Sequence, residues 1–131
     1  MKEHVFRLTR GNDLKLSIEK YCEDNKIQAG VILSCVGCLS EAVIRNASGV
    51  KCDKIDKDVE IVSITGTVSQ NGCHIHISVS DEELKTYGGH LKDGCIVNTT
   101  AEIVILELDS YVFERKMDEN TGYKELCISK K

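Results

Sequence analysis

Leu14, Ile18, Tyr21 and Cys22 recur at i, i+4, i+7 and i+8 between Lys15, Glu19, Lys20 and Glu23. That is the apolar stripe of an amphipathic helix. Gly11-Asn12-Asp13 interrupts the run before it, so Asn12 or Asp13 is expected as the N-cap, and the helix should end near Asp24-Asn25-Lys26. Residues 5–9 read as a strand ahead of the helix. After the helix the pattern turns to β. Residues 29–37 are a near-continuous apolar run, and 41–47 follow as a second strand after a short turn. A polar loop over 48–58 leads to a strand over 59–68. Asn71-Gly72 is a hairpin signal between that strand and 73–80. Residues 81–94 are polar, carry Gly88-Gly89, and are expected to form a loop or a short irregular strand. The stretch 95–108 is β-rich, and 123–129 adds a last strand. One helix and a run of strands predict an α+β (mixed α/β) fold, an antiparallel β-sheet flanked by one main helix. No repeat or linker divides the chain, so residues 1–131 are read as a single domain.

Composition narrows the function more than the fold. Seventeen Lys and Arg against twenty-one Asp and Glu leave a net charge of −4, and the charges alternate along the chain. A duplex-DNA binder needs a basic stripe to neutralise phosphates, so DNA is a disfavoured partner on charge alone. No run approaches the length a membrane helix needs, and the N-terminus has no signal-peptide pattern. The protein is therefore expected in the cytoplasm. Its seven cysteines are an odd number scattered through apolar runs, which reads as reduced, mostly buried thiols. Cys35-Val36-Gly37-Cys38 is formally a CxxC, but its setting is a buried strand rather than a helix N-terminus that would activate a thiol.

Candidate chemistry concentrates in three histidines. His74 and His76 are separated by one residue in a strand, so both side chains leave the same face while Ile75, Ile77 and Val79 face the other way. About a dozen residues later Gly88-Gly89 would let the backbone approach closely and bring back His90. Three neutral imidazoles with a free fourth position are the donor set of a catalytic zinc. The bland alternative is a solvent-facing HxH and a plain Gly-Gly-His turn. Cys73 has the wrong parity to join the set, and His4 is expected to be exposed. Glu102 is a carboxylate inside an apolar strand, either a general base or second-sphere partner of an imidazole, or a solvent-facing residue. Glu60 and Arg45 are similar intrusions, for which salt bridges are expected.

Several ordered motifs along the chain resemble the plant and prokaryote conserved (PPC) domain family. They are Arg7–Leu14, Ala29–Ile32, Val36–Ala42, Glu60–Gly66, His74-Ile75-His76, Gly88–Leu91, Gly94–Val97 and Thr100-Ala101-Glu102. The resemblance implies an antiparallel sheet flanked by helix, assembled as a homotrimer. Prokaryotic members carry the HxH and GGH motifs, which implies a metal, zinc first, on His74, His76 and His90. The implied fold is also similar to that of acetolactate decarboxylase, a zinc enzyme with a comparable histidine set. By that analogy the site would serve a zinc-dependent lyase or hydrolase step, with Glu102 moving a proton and Arg7, Arg10 or Arg45 holding a small anionic ligand. The family label also points to DNA binding, because plant members add an AT-hook built around Arg-Gly-Arg-Pro. This chain has no proline and so no such segment. Metal binding and a DNA-binding or regulatory trimeric module both stay open here.

Overall fold

Asp13 is the residue that starts the helix. Its Oδ1 accepts the Leu16 amide at 3.0 Å, and its Oδ2 accepts the Gly94 amide at 2.8 Å. One side chain thus caps the helix and ties it to the loop before a distant strand. In the computed structural model, which describes residues 1–131, the elements run β1 (Lys2–Thr9), α1 (Leu14–Asp24), β2 (Gly30–Arg45), β3 (Cys52–Ile55) and β4 (Val59–Val68). They continue with β5 (His74–Ser80), β6 (Thr86–Leu91), β7 (Ile96–Glu107), β8 (Tyr111–Met117) and β9 (Lys124–Lys130). All the strand pairings are antiparallel. With its single helix the fold is α+β, as the hydrophobic pattern predicts.

The main sheet has the order β1-β7-β2-β4-β5-β6, with β3 paired to β2. Its far edge does not stay open. β6 returns to the end of β2 through the pairs Ile44–Leu91 and Arg45–His90, so β2, β4, β5 and β6 close into a ring. Helix α1 lays Leu14, Ile18 and Cys22 against one face, and all three are fully buried. Burying Leu14 and Ile18 stabilises the fold by about 1.5–3 kcal/mol each. Ile103 and Ile105 of β7, Ile75, Ile77 and Val79 of β5, and Leu91 of β6 complete the same core.

Four expectations need correction. The runs 29–37 and 41–47 are one strand, β2. The expected turn between them is a bend, marked by register shifts at Gly37/Cys38 and Leu39/Glu41 opposite β7. The polar stretch 48–58 contains the short strand β3, and 111–117 forms β8, which Tyr111-Val112-Phe113 could have signalled. His4 is buried, not exposed. Its ring contacts the Tyr21 hydroxyl at 3.1 Å and Glu107 Oε2 at 2.9 Å, and Tyr21 stacks on Phe6. The salt bridges expected of Glu60 and Arg45 do not form. Glu60 is solvent-exposed, and Arg45 lies over the Tyr123 ring, 5.6 Å from its centroid.

All seven cysteines are free thiols, as the sequence suggests, but they are not mostly buried: only Cys22, Cys35 and Cys95 are, and Cys52 is exposed. In the CxxC, Cys35 is buried, which pushes its thiol up to about 12, and the Cys38 thiol donates to the Asn98 carbonyl. Burial thus holds Cys35 as a thiol rather than a reactive thiolate.

Candidate metal centre

The alternation of β5 is exposed-buried-exposed-buried from His74 to Ile77, so Ile75 and Ile77 enter the core and His74 and His76 stand outward. Their Nε2 atoms are 3.2 Å apart. The third imidazole arrives by register: His76 of β5 lies directly opposite His90 of β6. Gly89 makes that approach possible, since a Cβ there would lie 2.6 Å from the Arg45 carbonyl oxygen and 2.7 Å from Ile44 Cγ2. The three ring centroids are 5.0, 5.1 and 5.6 Å apart, and one ligating nitrogen from each ring lies within 4.8 Å of the others.

The donor chemistry fits a divalent metal. Tetrahedral zinc with Zn–N near 2.0–2.1 Å holds ligand nitrogens roughly 3.3–3.4 Å apart, close to the His74–His76 spacing. The charge state fits as well. Desolvation, then His76 and Arg115, hold His74 below the ordinary imidazole range. Desolvation, Arg45 and His74 push His90 down to about 4. Imidazoles that resist protonation are the form that ligates a metal. His90 Nδ1 is buried without a hydrogen-bond partner, an orphaned polar atom beside the set.

The other sequence candidates lie elsewhere. Glu102 pairs with Arg7 of β1 and Val36 of β2 on the outer face of β7, exposed, with β2 and β4 between it and the histidine strand. Arg7 donates to the Thr100 hydroxyl and the Thr99 carbonyl on that face, and Arg10 lies in the turn after β1. Only Arg45, opposite His90, is at the site. The sequence reading missed Arg115 and Tyr123. Both come from the β8–β9 hairpin and line, with His74 and His90, a cleft of about 400 Å³.

Fold and site together define a small antiparallel α+β domain with a three-imidazole centre on its sheet. Residues 1–109 match the Plants and Prokaryotes Conserved (PCC) domain, and the chain belongs to that family. Among curated proteins it is similar to the bifunctional protein GlmU of Synechococcus sp. (strain JA-3-3Ab), 39% identical over 130 residues. That alignment covers 99% of this chain and 21% of GlmU, so the chain spans about a fifth of the length of the relatives it matches. Among solved structures, a hypothetical protein from Salmonella cholerae-suis superposes with a TM-score of 0.94 at 32% identity, covering 99% of this chain and 94% of that one. A metal-containing protein from Archaeoglobus fulgidus superposes at 0.83 with 30% identity, covering 97% and 94%.

Proposed function

We propose that this PCC-domain chain binds a divalent metal, zinc by imidazole preference, through His74, His76 and His90. The observation that carries the reading is the convergence of three imidazoles from two strands onto one point, with His74 and His90 held below the ordinary imidazole range. The metal-containing relative from Archaeoglobus fulgidus supports it. A bound metal would supply Lewis acidity toward a small carbonyl or phosphoryl compound, which makes a lyase or hydrolase step the chemistry to look for. A catalytic role for Glu102 would require a neighbouring copy of the chain to present it, because its own fold holds it apart from the trio. Self-association as a homotrimer has support in the outer face, where Val5, Leu33, Val36 and Val62 are more than half exposed. Seven free thiols favour a reducing, cytoplasmic setting, and no helix is long and apolar enough to cross a membrane.

One preparation tests these statements. Protein purified without chelators should carry about one metal per chain, and His76→Ala should lose nearly all of it, since a zinc site needs at least three protein ligands. Unchanged metal content in that variant would sink the reading. Acid should release the metal. The unfolded chain takes up its imidazole proton near 6.5 and the folded His90 only near 4, so between those values falling pH costs the metal-free fold stability and protons compete for the ligands. Light scattering should give three times the 14.5 kDa chain mass; a monomer would remove the trimer. The alternative, a DNA-associated module as the family label suggests, requires duplex binding at low salt, where the phosphate contribution is strongest. With a net charge of −4 we expect none.

A further inference from the structure

The cleft beside the trio has a charge that the chain as a whole does not. Arg45, Arg115 and Lys124 line it with Glu125 as the one carboxylate among the lining residues. That leaves a local excess of positive charge in a protein of net charge −4. None of the three cations forms a salt bridge. Arg45 Nε is buried and has no hydrogen-bond partner, while its guanidinium is steadied over the Tyr123 ring. A buried N–H without an acceptor is costly, and guanidinium groups without carboxylate partners are suited to an oxyanion.

The cleft exists because the β8–β9 hairpin is pinned against the sheet. The Phe113 amide donates to the Gln28 carbonyl at 2.8 Å, Arg115 donates to the Thr67 hydroxyl at 2.9 Å, and the Tyr123 hydroxyl donates to the Gly49 carbonyl at 3.1 Å. Asn71, in the β4–β5 turn next to the histidine strand, donates to the Phe113 carbonyl at 2.9 Å. This hairpin lies beyond residues 1–109, the part that matches the family. Residues 1–109 supply the imidazoles and Arg45, and the C-terminal hairpin, which the similar solved structures also cover, supplies Arg115, Tyr123 and Lys124.

We propose that the C-terminal hairpin sets the ligand specificity of the histidine site by completing a pocket for a small oxyanion, a carboxylate or phosphate group held between Arg45 and Arg115. The inference rests on the metal reading only for the ligand's remaining donor, which would face His74 and His90. The anion pocket itself consists of groups present without a metal.

Calorimetric titration of inorganic phosphate and of malonate into chelator-treated and zinc-loaded protein tests it. Saturable binding of either anion is expected at low ionic strength, and which one binds distinguishes phosphate from carboxylate ligands. Arg45→Gln and Arg115→Gln should each weaken it roughly tenfold or more, the loss expected for a charge-assisted hydrogen bond. Glu125→Gln should tighten it, an effect that a purely structural role for the hairpin would not produce. Melting temperature and metal content of each variant show that fold and trio are intact, and the two arginine variants back each other should one fail to fold. No saturable binding of either anion in either form, or binding unchanged by both arginine substitutions, would overturn the proposal. Anion binding by the metal-free protein together with a failed metal assay would refute the metal reading and leave the pocket standing.

Discussion

Replacing Gly37 by alanine should destabilise the protein by about 3 kcal/mol or more, at the upper end of what single substitutions do. Gly37 sits where β2 bends over β7, with φ +156. A Cβ at this position would lie 2.0 Å from the Thr100 carbonyl oxygen and 2.8 Å from Ala101 Cα. Both are backbone atoms of the neighbouring strand, so no side-chain rotation relieves the clash. Thr99, just before them, already has φ 65, so this part of β7 has little slack to yield. Global stability is typically only about 5–15 kcal/mol, so thermal denaturation should show a fall of roughly ten degrees or no cooperative transition at all. A melting temperature within a degree of the parent would mean that β2 and β7 are not packed this closely.

Gly89→Val should remove metal and stability together. The new side chain would meet the Arg45 carbonyl oxygen and Ile44 Cγ2, both closer than 3 Å to the Cβ position, and push β6 off β2. That separation opens the closed ring at the pairs Ile44–Leu91 and Arg45–His90 and withdraws His90 from His74 and His76. The informative comparison is with His90→Ala, which should also lose metal. Without metal, though, that variant should melt close to the parent, because it removes an imidazole whose Nδ1 is buried without a partner. Metal analysis and melting curves on the two variants would separate a ligand from the backbone that delivers it. Full metal content in Gly89→Val would show that the close approach of β6 to β2 is not what places His90.

Much of this protein is legible locally. The spacing of Leu14, Ile18 and Cys22 is enough to predict α1, because helical periodicity needs only the segment itself. The HxH is enough to put His74 and His76 on one face, because strand parity is equally local. Gly88-Gly89 also reads correctly as the place where backbone comes close, and of the two forms expected for the segment, loop or short irregular strand, it takes a strand, β6.

Register is another matter. That His76 faces His90 depends on how β6 pairs with β5 and β2 at once. Burial of Ile77, Val79 and Leu91 in a shared core selects that pairing, and no single segment encodes it. For the same reason two expected strands are one in β2, where a bulge against β7 absorbs what looked like a turn. The burial of His4 against Tyr21 and Glu107 likewise comes from residues remote in sequence.

Glu102 and Arg115 show the two sides of this limit. Glu102 stands out as an anomaly in an apolar strand, and in the fold it occupies the outer face, three strand positions across the sheet from His74 and His76. Arg115 has no local signal, and the β8–β9 hairpin carries it to the edge of the cleft. Residue type and parity therefore determined which side chains could form a three-imidazole centre. Only the tertiary structure decided that they meet and which cations stand beside them, because pairing between distant strands is settled by burial summed over the whole sheet.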